Sequence, residues 1–131
     1  MRPYILLVDD DPDDLLLITE AIIAANSNYE LKEAGDGRMA LNFLKSLNKK
    51  DDHPCLIVLD INMPVLDGRE LLAILKSDTS LKDVPVIFFT TSSNPADINY
   101  AAQFNVELMT KPFNMNLLSI AAKKIISYCK S

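Results

Sequence analysis

Two kinds of segment alternate along the chain. In the first kind every position is apolar: YILLV at 4–8, CLIVL at 55–59 and PVIFF at 85–89. A strand with one wet face alternates apolar and polar residues. Unbroken aliphatic runs of this length instead fit strands buried on both faces, as in a parallel sheet. Two weaker strands complete the set: residues 29–34, polar enough for an edge or near-edge position, and a short one at 106–109. Between them lie amphipathic segments. Residues 12–25 read as a helix, with Asp11 as N-cap, Pro12 as the first helical residue and Asp14 at the positive helix end. A second helix covers 38–47, entered through the turn Gly35-Asp36-Gly37, with Leu41, Phe43 and Leu44 on its apolar face. A polar loop spans 48–54. A further loop, eased by Gly68, leads to a helix near 69–76. Asn94-Pro95 caps a helix ending about residue 104. Asn114 caps the last helix, 115–128, whose negative end is complemented by Lys123, Lys124 and Lys130.

Five strands alternating strictly with five helices leave few topologies. Each helical crossover forces the strands it joins to run parallel, with a right-handed connection. The expected fold is therefore α/β: a flavodoxin-like, doubly wound five-stranded parallel sheet in the order 2-1-3-4-5 with five helices. At 131 residues the chain fits one domain (1–131), with no sign of an internal repeat, a linker or an output domain.

Composition adds one point of emphasis. The formal net charge is −5, and five acids crowd one stretch: Asp9, Asp10, Asp11, Asp13 and Asp14. Without them acids and bases balance, so the excess is local. An acidic chain does not suit electrostatic nucleic-acid binding, and no apolar run approaches the ~20 residues that span a bilayer. The N-terminus lacks the basic and apolar segments of a secretory signal, which makes the cytoplasm the expected compartment. Two cysteines, Cys55 and Cys129, sit in apolar surroundings and read as buried free thiols. His53 is a lone loop histidine, read as a surface residue.

In an open parallel sheet, ligands bind beyond the carboxyl ends of the strands, where the strand order reverses. The residues standing there are Asp9 and Asp10 after the first strand, Asp60 after the third, Thr90, Thr91 and Ser92 after the fourth, and Thr110 and Lys111 after the fifth. Three carboxylates in one crevice need a counter-charge. Lys111 supplies one positive charge and a divalent cation the rest. Oxygen ligands on a shallow rim suit Mg²⁺, with the backbone carbonyl of Asn62 as a further ligand. Such an ion neutralises charge during in-line phosphoryl transfer, for which an Asp is a competent nucleophile. Thr91 and Ser93 are left to strand propensity and helix capping.

The runs ILLVDDDPDD (5–14), LIVLDINMPVLDG (56–68), PVIFFTTSS (85–93) and MTKPF (109–113) together resemble the receiver domains of two-component response regulators, over essentially the whole chain. The resemblance implies that Asp60 is the phosphoacceptor. It implies that Asp9 and Asp10 are the acidic pair, Asp10 directly on Mg²⁺ and Asp9 mainly through water. Thr90 becomes the switch hydroxyl and Lys111 the lysine that faces the phosphoryl group. A sensor histidine kinase or a phosphotransfer protein would be the donor, and a target protein would read the switched state. Receivers also resemble one another in a cis peptide at the position of Lys111-Pro112, an isomer the sequence leaves open. One position departs from the pattern: Leu108 stands where members carry Tyr or Phe, so no ring rotation can accompany a shift of Thr90.

Two other functions are excluded by named residues. An aspartyl-phosphate phosphatase of the haloacid dehalogenase type needs a second Asp two residues past its nucleophile, and Asn62 cannot exchange a proton there. A flavin mononucleotide carrier needs a small polar loop after the first strand, where this chain's aspartates would repel the phosphate. Residues 35–40 also match G-x-G-x-x-A, but Asp36 would face the pyrophosphate, so a turn is the better reading.

Overall fold

The computed structural model describes residues 3–91 and 94–129. Its elements alternate as β1 (Tyr4–Val8), α1 (Pro12–Ala25), β2 (Glu30–Ala34), α2 (Gly37–Lys45), β3 (Leu56–Leu59), α3 (Gly68–Ser77), β4 (Val86–Thr90), α4 (Pro95–Gln103), β5 (Leu108–Thr110) and α5 (Met115–Ser127). A short 3-10 turn over Lys50–Asp52 interrupts the expected polar loop. All strand pairs are parallel, and the order is β2-β1-β3-β4-β5, as the alternation required.

The aliphatic strands divide their side chains between two cores by the two-residue period of a strand. Leu6, Val8, Ile57, Leu59, Val86 and Phe88 point to the side covered by α2, α3 and α4. Ile5, Leu7, Leu56, Val58, Ile87 and Phe89 point to the side covered by α1 and α5. Phe88 is completely buried, and full burial of such a side chain contributes about 1.5–3 kcal/mol. The polar strand β2 lies at one edge, where Glu30, Lys32 and Glu33 are exposed. The short β5 forms the other edge.

The caps are the ones the sequence carries. Asp11 accepts from the Asp13 and Asp14 amides at the start of α1, Asn94 from Ala96 in α4, and Asn114 from Leu117 in α5. Asp36 caps α2 through the Met39 amide. A Cβ on Gly37 would lie 2.3 Å from the Leu66 carbonyl oxygen, so protein backbone fills the space beside that helix start. This rules out the phosphate-binding use of residues 35–40 on steric grounds as well. Asp67 and Glu70 form a reciprocal capping box at the head of α3. Ser92, expected on the rim, Ser93, expected to cap a helix, and Lys130, expected at a helix end, lie outside the described residues.

One expectation is overturned. Cys55 and Cys129 are not free thiols but a disulfide, with Cα atoms 5.0 Å apart. The topology explains why. Cys55 enters β3 at the centre of the sheet, its amide bonded to the Tyr4 carbonyl. The helix α5 runs back across that face and delivers Cys129 to the same end. The two residues are 74 positions apart, and no local pattern announces the pairing.

Candidate functional site

Each functional side chain stands where a buried strand stops. Val8 ends β1, and the next residue, Asp9, is still anchored by its amide to the Ala34 carbonyl of β2 at 3.2 Å. Asp60 follows Leu59 and donates its amide to the Val8 carbonyl at 2.9 Å, so the ends of β1 and β3 are locked side by side. Both carboxylates are buried, at 6% and 8% exposure, while Asp10 is exposed on the rim. One carboxylate oxygen from each of Asp9, Asp10 and Asp60 lies within 4.8 Å of the others, a spacing that suits one hard cation between them.

Lys111 reaches into this crevice from beyond β5. Its ammonium donates to Asp9 at 2.5 Å and to Asp14 at 2.8 Å, and lies 3.6 Å from Asp60. The Lys111 amide donates to the Thr90 carbonyl at 2.8 Å, so the lysine's backbone is registered on the end of β4. Thr90 itself closes β4 and is wholly buried. Among the described residues there is no cis peptide, and the Lys111-Pro112 bond is trans.

The loop after Asp60 fastens that residue by hydrogen bonds of its own. The Asp60 carboxylate accepts from the Ile61 amide at 2.8 Å, and the Gly68 amide donates to the Ile61 carbonyl at 2.8 Å. A Cβ on Gly68 would stand 2.3 Å from the Asp60 carbonyl oxygen. Glycine is needed there for close approach of two backbones, rather than for an unusual φ. Asn62 is exposed on this loop, just past the carboxylate cluster. Val65, further along, holds φ of 69° with its side chain in solvent.

Electrostatics follow from burial. Removal from water pushes the Asp9 carboxyl up to about 6, against the pull of the Lys111 and Asp11 hydrogen bonds, and the Asp60 charge adds to the rise. Burial works against the charged form of Lys111. Its bonds to Asp14 and Asp9 and the charge of Asp60 outweigh that, and its pKa is raised. The ammonium therefore stays charged through the neutral range. With Asp14 included, three carboxylates face one ammonium, and Asp10 stands beside two of them. The charge excess on the rim is larger than the sequence indicated, which read Asp14 only as a helix-start residue. It is both: it sits in the first turn of α1 and turns its carboxylate to Lys111.

The crevice thus joins Asp9, Asp10, Asp60 and Lys111, with Thr90 tied in through its backbone. Asp11 and Asp13 stay exposed at the helix start. Leu108 is half-buried, packed against the core that also carries Tyr100 and Phe104. Tyr100 is fastened elsewhere: its hydroxyl donates to the Arg69 carbonyl at 2.8 Å, and the Arg69 guanidinium stacks over its ring. Arg69 also pairs with the buried Asp97, an α3–α4 link with no sequence signature.

Comparison with known proteins agrees with this arrangement. Residues 5–123 match the model of the response regulator receiver domain. The chain is 35% identical to the response regulator Rcp1 of Synechocystis sp. over 127 residues, covering 95% of this chain and 86% of that protein. The crystal structure of the phosphorylated cyanobacterial phytochrome response regulator RcpA superposes with a TM-score of 0.87 at 35% identity, covering 98% of this chain and 94% of that one. The Mn²⁺-bound form of Rcp1 superposes with a TM-score of 0.85 at 34% identity, covering 98% and 96%. A receiver fold carrying three rim carboxylates and an opposed lysine, matched over nearly its full length, places this chain in the response regulator receiver domain family.

Proposed function

We propose that the chain is a phosphorylatable switch: a sensor histidine kinase or a phosphotransfer protein donates a phosphoryl group to Asp60, and the modified domain changes its affinity for a target protein. The observation that carries this reading is the placement of Asp60, buried at the end of β3 with two further carboxylates and the Lys111 ammonium around it. An acceptor that is to form an acyl phosphate must itself be ionised and aimed. The Ile61 amide holds one Asp60 oxygen, which leaves the other facing the crevice as nucleophile.

The donor set fits Mg²⁺. Asp9, Asp10 and Asp60 would hold it, with the Asn62 carbonyl as the next ligand. When bound, the ion offsets the negative charge of the incoming phosphoryl oxygens. Lys111 does the same from beyond β5, moving from Asp14 and Asp9 towards those oxygens. Thr90 carries the switch, since its hydroxyl starts buried at the end of β4 and a phosphoryl oxygen on Asp60 is a new acceptor within the same rim. With Leu108, the register partner of Phe88, in place of an aromatic residue, that shift is transmitted by repacking and not by ring rotation. On this reading the chain accepts a group and does not turn over a substrate, and it works where its kinase works, in the cytoplasm.

Incubation with acetyl phosphate and Mg²⁺ tests the assignment by intact mass. One added phosphoryl group is expected on the natural chain and none on Asp60→Asn. Labelling that persists in the variant would place the acceptor elsewhere.

A further inference from the structure

We propose that Cys55 and Cys129 form a reversible redox couple, a second covalent input to the domain that exchanges with a small thiol donor of the glutathione class. Three observations carry it. The pair is within bonding geometry, with Cα atoms 5.0 Å apart. The two residues differ in exposure: Cys129 is buried in the core under α1 and α5, while Cys55 is partly exposed at the entry to β3. The fold does not depend on the bond for a core, because both faces of the sheet are already filled with buried aliphatic side chains. Small domains use disulfides where the core is insufficient, and that need is absent here.

The exchange is balanced as follows. A donor thiolate attacks the Sγ of Cys55, the less buried residue of the pair, the Cys55–Cys129 bond breaks, and Cys129 leaves as a thiolate that takes a proton from water. A second donor thiolate attacks the donor sulfur of the mixed disulfide and releases Cys55. Two donor thiols are oxidised to their own disulfide as the protein pair gains two electrons. Oxidation runs the same steps backwards, with the oxidised donor as acceptor.

The location separates this input from the one at Asp60. Cys55 and Asp60 lie at opposite ends of the same strand, about 16 Å apart at ~3.3 Å per residue. The bond fastens the segment just past α5 to the sheet, where the Tyr29 hydroxyl also reaches the Cys129 carbonyl at 3.4 Å. The same helix presents Leu117 and Ile120 to solvent. Reduction therefore loosens the end of α5 and leaves the carboxylate crevice intact.

The test equilibrates the full chain in mixtures running from reduced to oxidised glutathione, traps thiols by alkylation and counts them by intact mass. The expected result is a continuous passage from two alkylated thiols to none within the glutathione range. The oxidised form should melt roughly 10 °C higher, with faster amide exchange at the end of α5 after reduction. Labelling at Asp60 should be equal in both states. A chain that never closes the bond, that stays closed in reduced glutathione, or that pairs only between molecules overturns the proposal. Cys55→Ser, at the partly exposed position, is expected to fold and to melt like the reduced form. Should its melting match the oxidised form instead, the bond does not hold α5.

Discussion

The carboxylate of Asp14 sits 2.8 Å from the ammonium of Lys111, although 97 residues of chain separate them. Asp60 lies farther from the same ammonium, at 3.6 Å. Asp14, together with Asp9, thus holds the ammonium away from Asp60. Asp14→Asn weakens that hold, and Lys111 then has less to release as phosphoryl oxygens arrive. The initial rate of labelling by acetyl phosphate is expected to rise about two- to five-fold, a change of ~0.4–1 kcal/mol in the barrier. Asp14 is partly exposed, so the stability cost of losing the ion pair stays within about 1 kcal/mol. A rate that falls would show that Asp14 positions Lys111 productively.

The contact between Gly68 and the Asp60 carbonyl gives a second prediction. A methyl group on Gly68 meets backbone on two sides, the Asp60 oxygen at 2.3 Å and the Ile61 Cα at 2.8 Å, and neither yields as a flexible side chain does. Gly68→Ala should destabilise the domain by about 1–3 kcal/mol through overpacking and slow labelling at Asp60 by displacing the acceptor. Gly35→Ala is the control, because its added Cβ meets only Met39 Sδ at an ordinary 3.8 Å. Thermal melting of the two variants checks the contrast: equal melting temperatures would mean that the loop relaxes freely.

What the sequence made legible follows the distance over which each feature is encoded. Strands and helices are written locally, in runs such as CLIVL and in caps such as Asp11 and Asn114, and they were readable to within a residue or two. The carboxylate rim was readable because parallel topology sends every strand's end to the same side, so Asp9, Asp60 and Lys111 had to converge. Pairings that depend on the angle of one helix against the sheet were not. Asp14 turning to Lys111, Cys129 meeting Cys55 and Arg69 meeting Asp97 all join elements whose relative placement no periodicity specifies. The capping box of Asp67 and Glu70 is local, and its signal, an acidic cap with Glu three residues on, overlaps the turn that Pro64 and Gly68 mark.

Removing the lysine tests the charge balance of the crevice. Lys111→Met takes away the ammonium and leaves Asp9, Asp14 and Asp60 facing one another. Breaking a buried pair on one side costs about 3–5 kcal/mol when the remaining charge is fully enclosed; here Asp14 is partly exposed, and the loss should be smaller. Without metal the variant is expected to melt below the natural chain. Millimolar Mg²⁺ should then restore more stability to the variant than to the natural chain, because the ion meets a larger uncompensated charge. Labelling by acetyl phosphate should fall by at least ten-fold even with Mg²⁺ present. Thermal melting with and without the ion reads the first two effects, and a Mg²⁺ shift no larger than that of the natural chain would count against a shared site.

The raised pKa of Asp9 sets an unusual pH dependence in metal-free protein. Its carboxyl is pushed up to about 6 in the fold, by burial first, against an ordinary value of 3.8. Between those values the folded state binds more protons than the unfolded state, so stability rises as pH falls and is lost as pH rises through 6. Glu107 and Asp78 act in the opposite sense. Hydrogen bonds from Lys124 and Tyr128 hold Glu107 below its usual 4.5, and bonds from Ser80 hold Asp78 below 3.8. The stability they contribute is kept above those ordinary values and lost at lower pH. Neither of these two reaches the window from about pH 7 to about pH 5, where the Asp9 effect acts. There the melting temperature measured in a chelator should climb by a few degrees, and Asp9→Asn should flatten the climb. Saturating Mg²⁺ should flatten it too, since the ion stabilises the ionised carboxylate. A melting temperature that falls steadily from pH 7 to pH 5 would mean that Asp9 ionises as an ordinary surface acid, and that the crevice is wetter than its burial indicates.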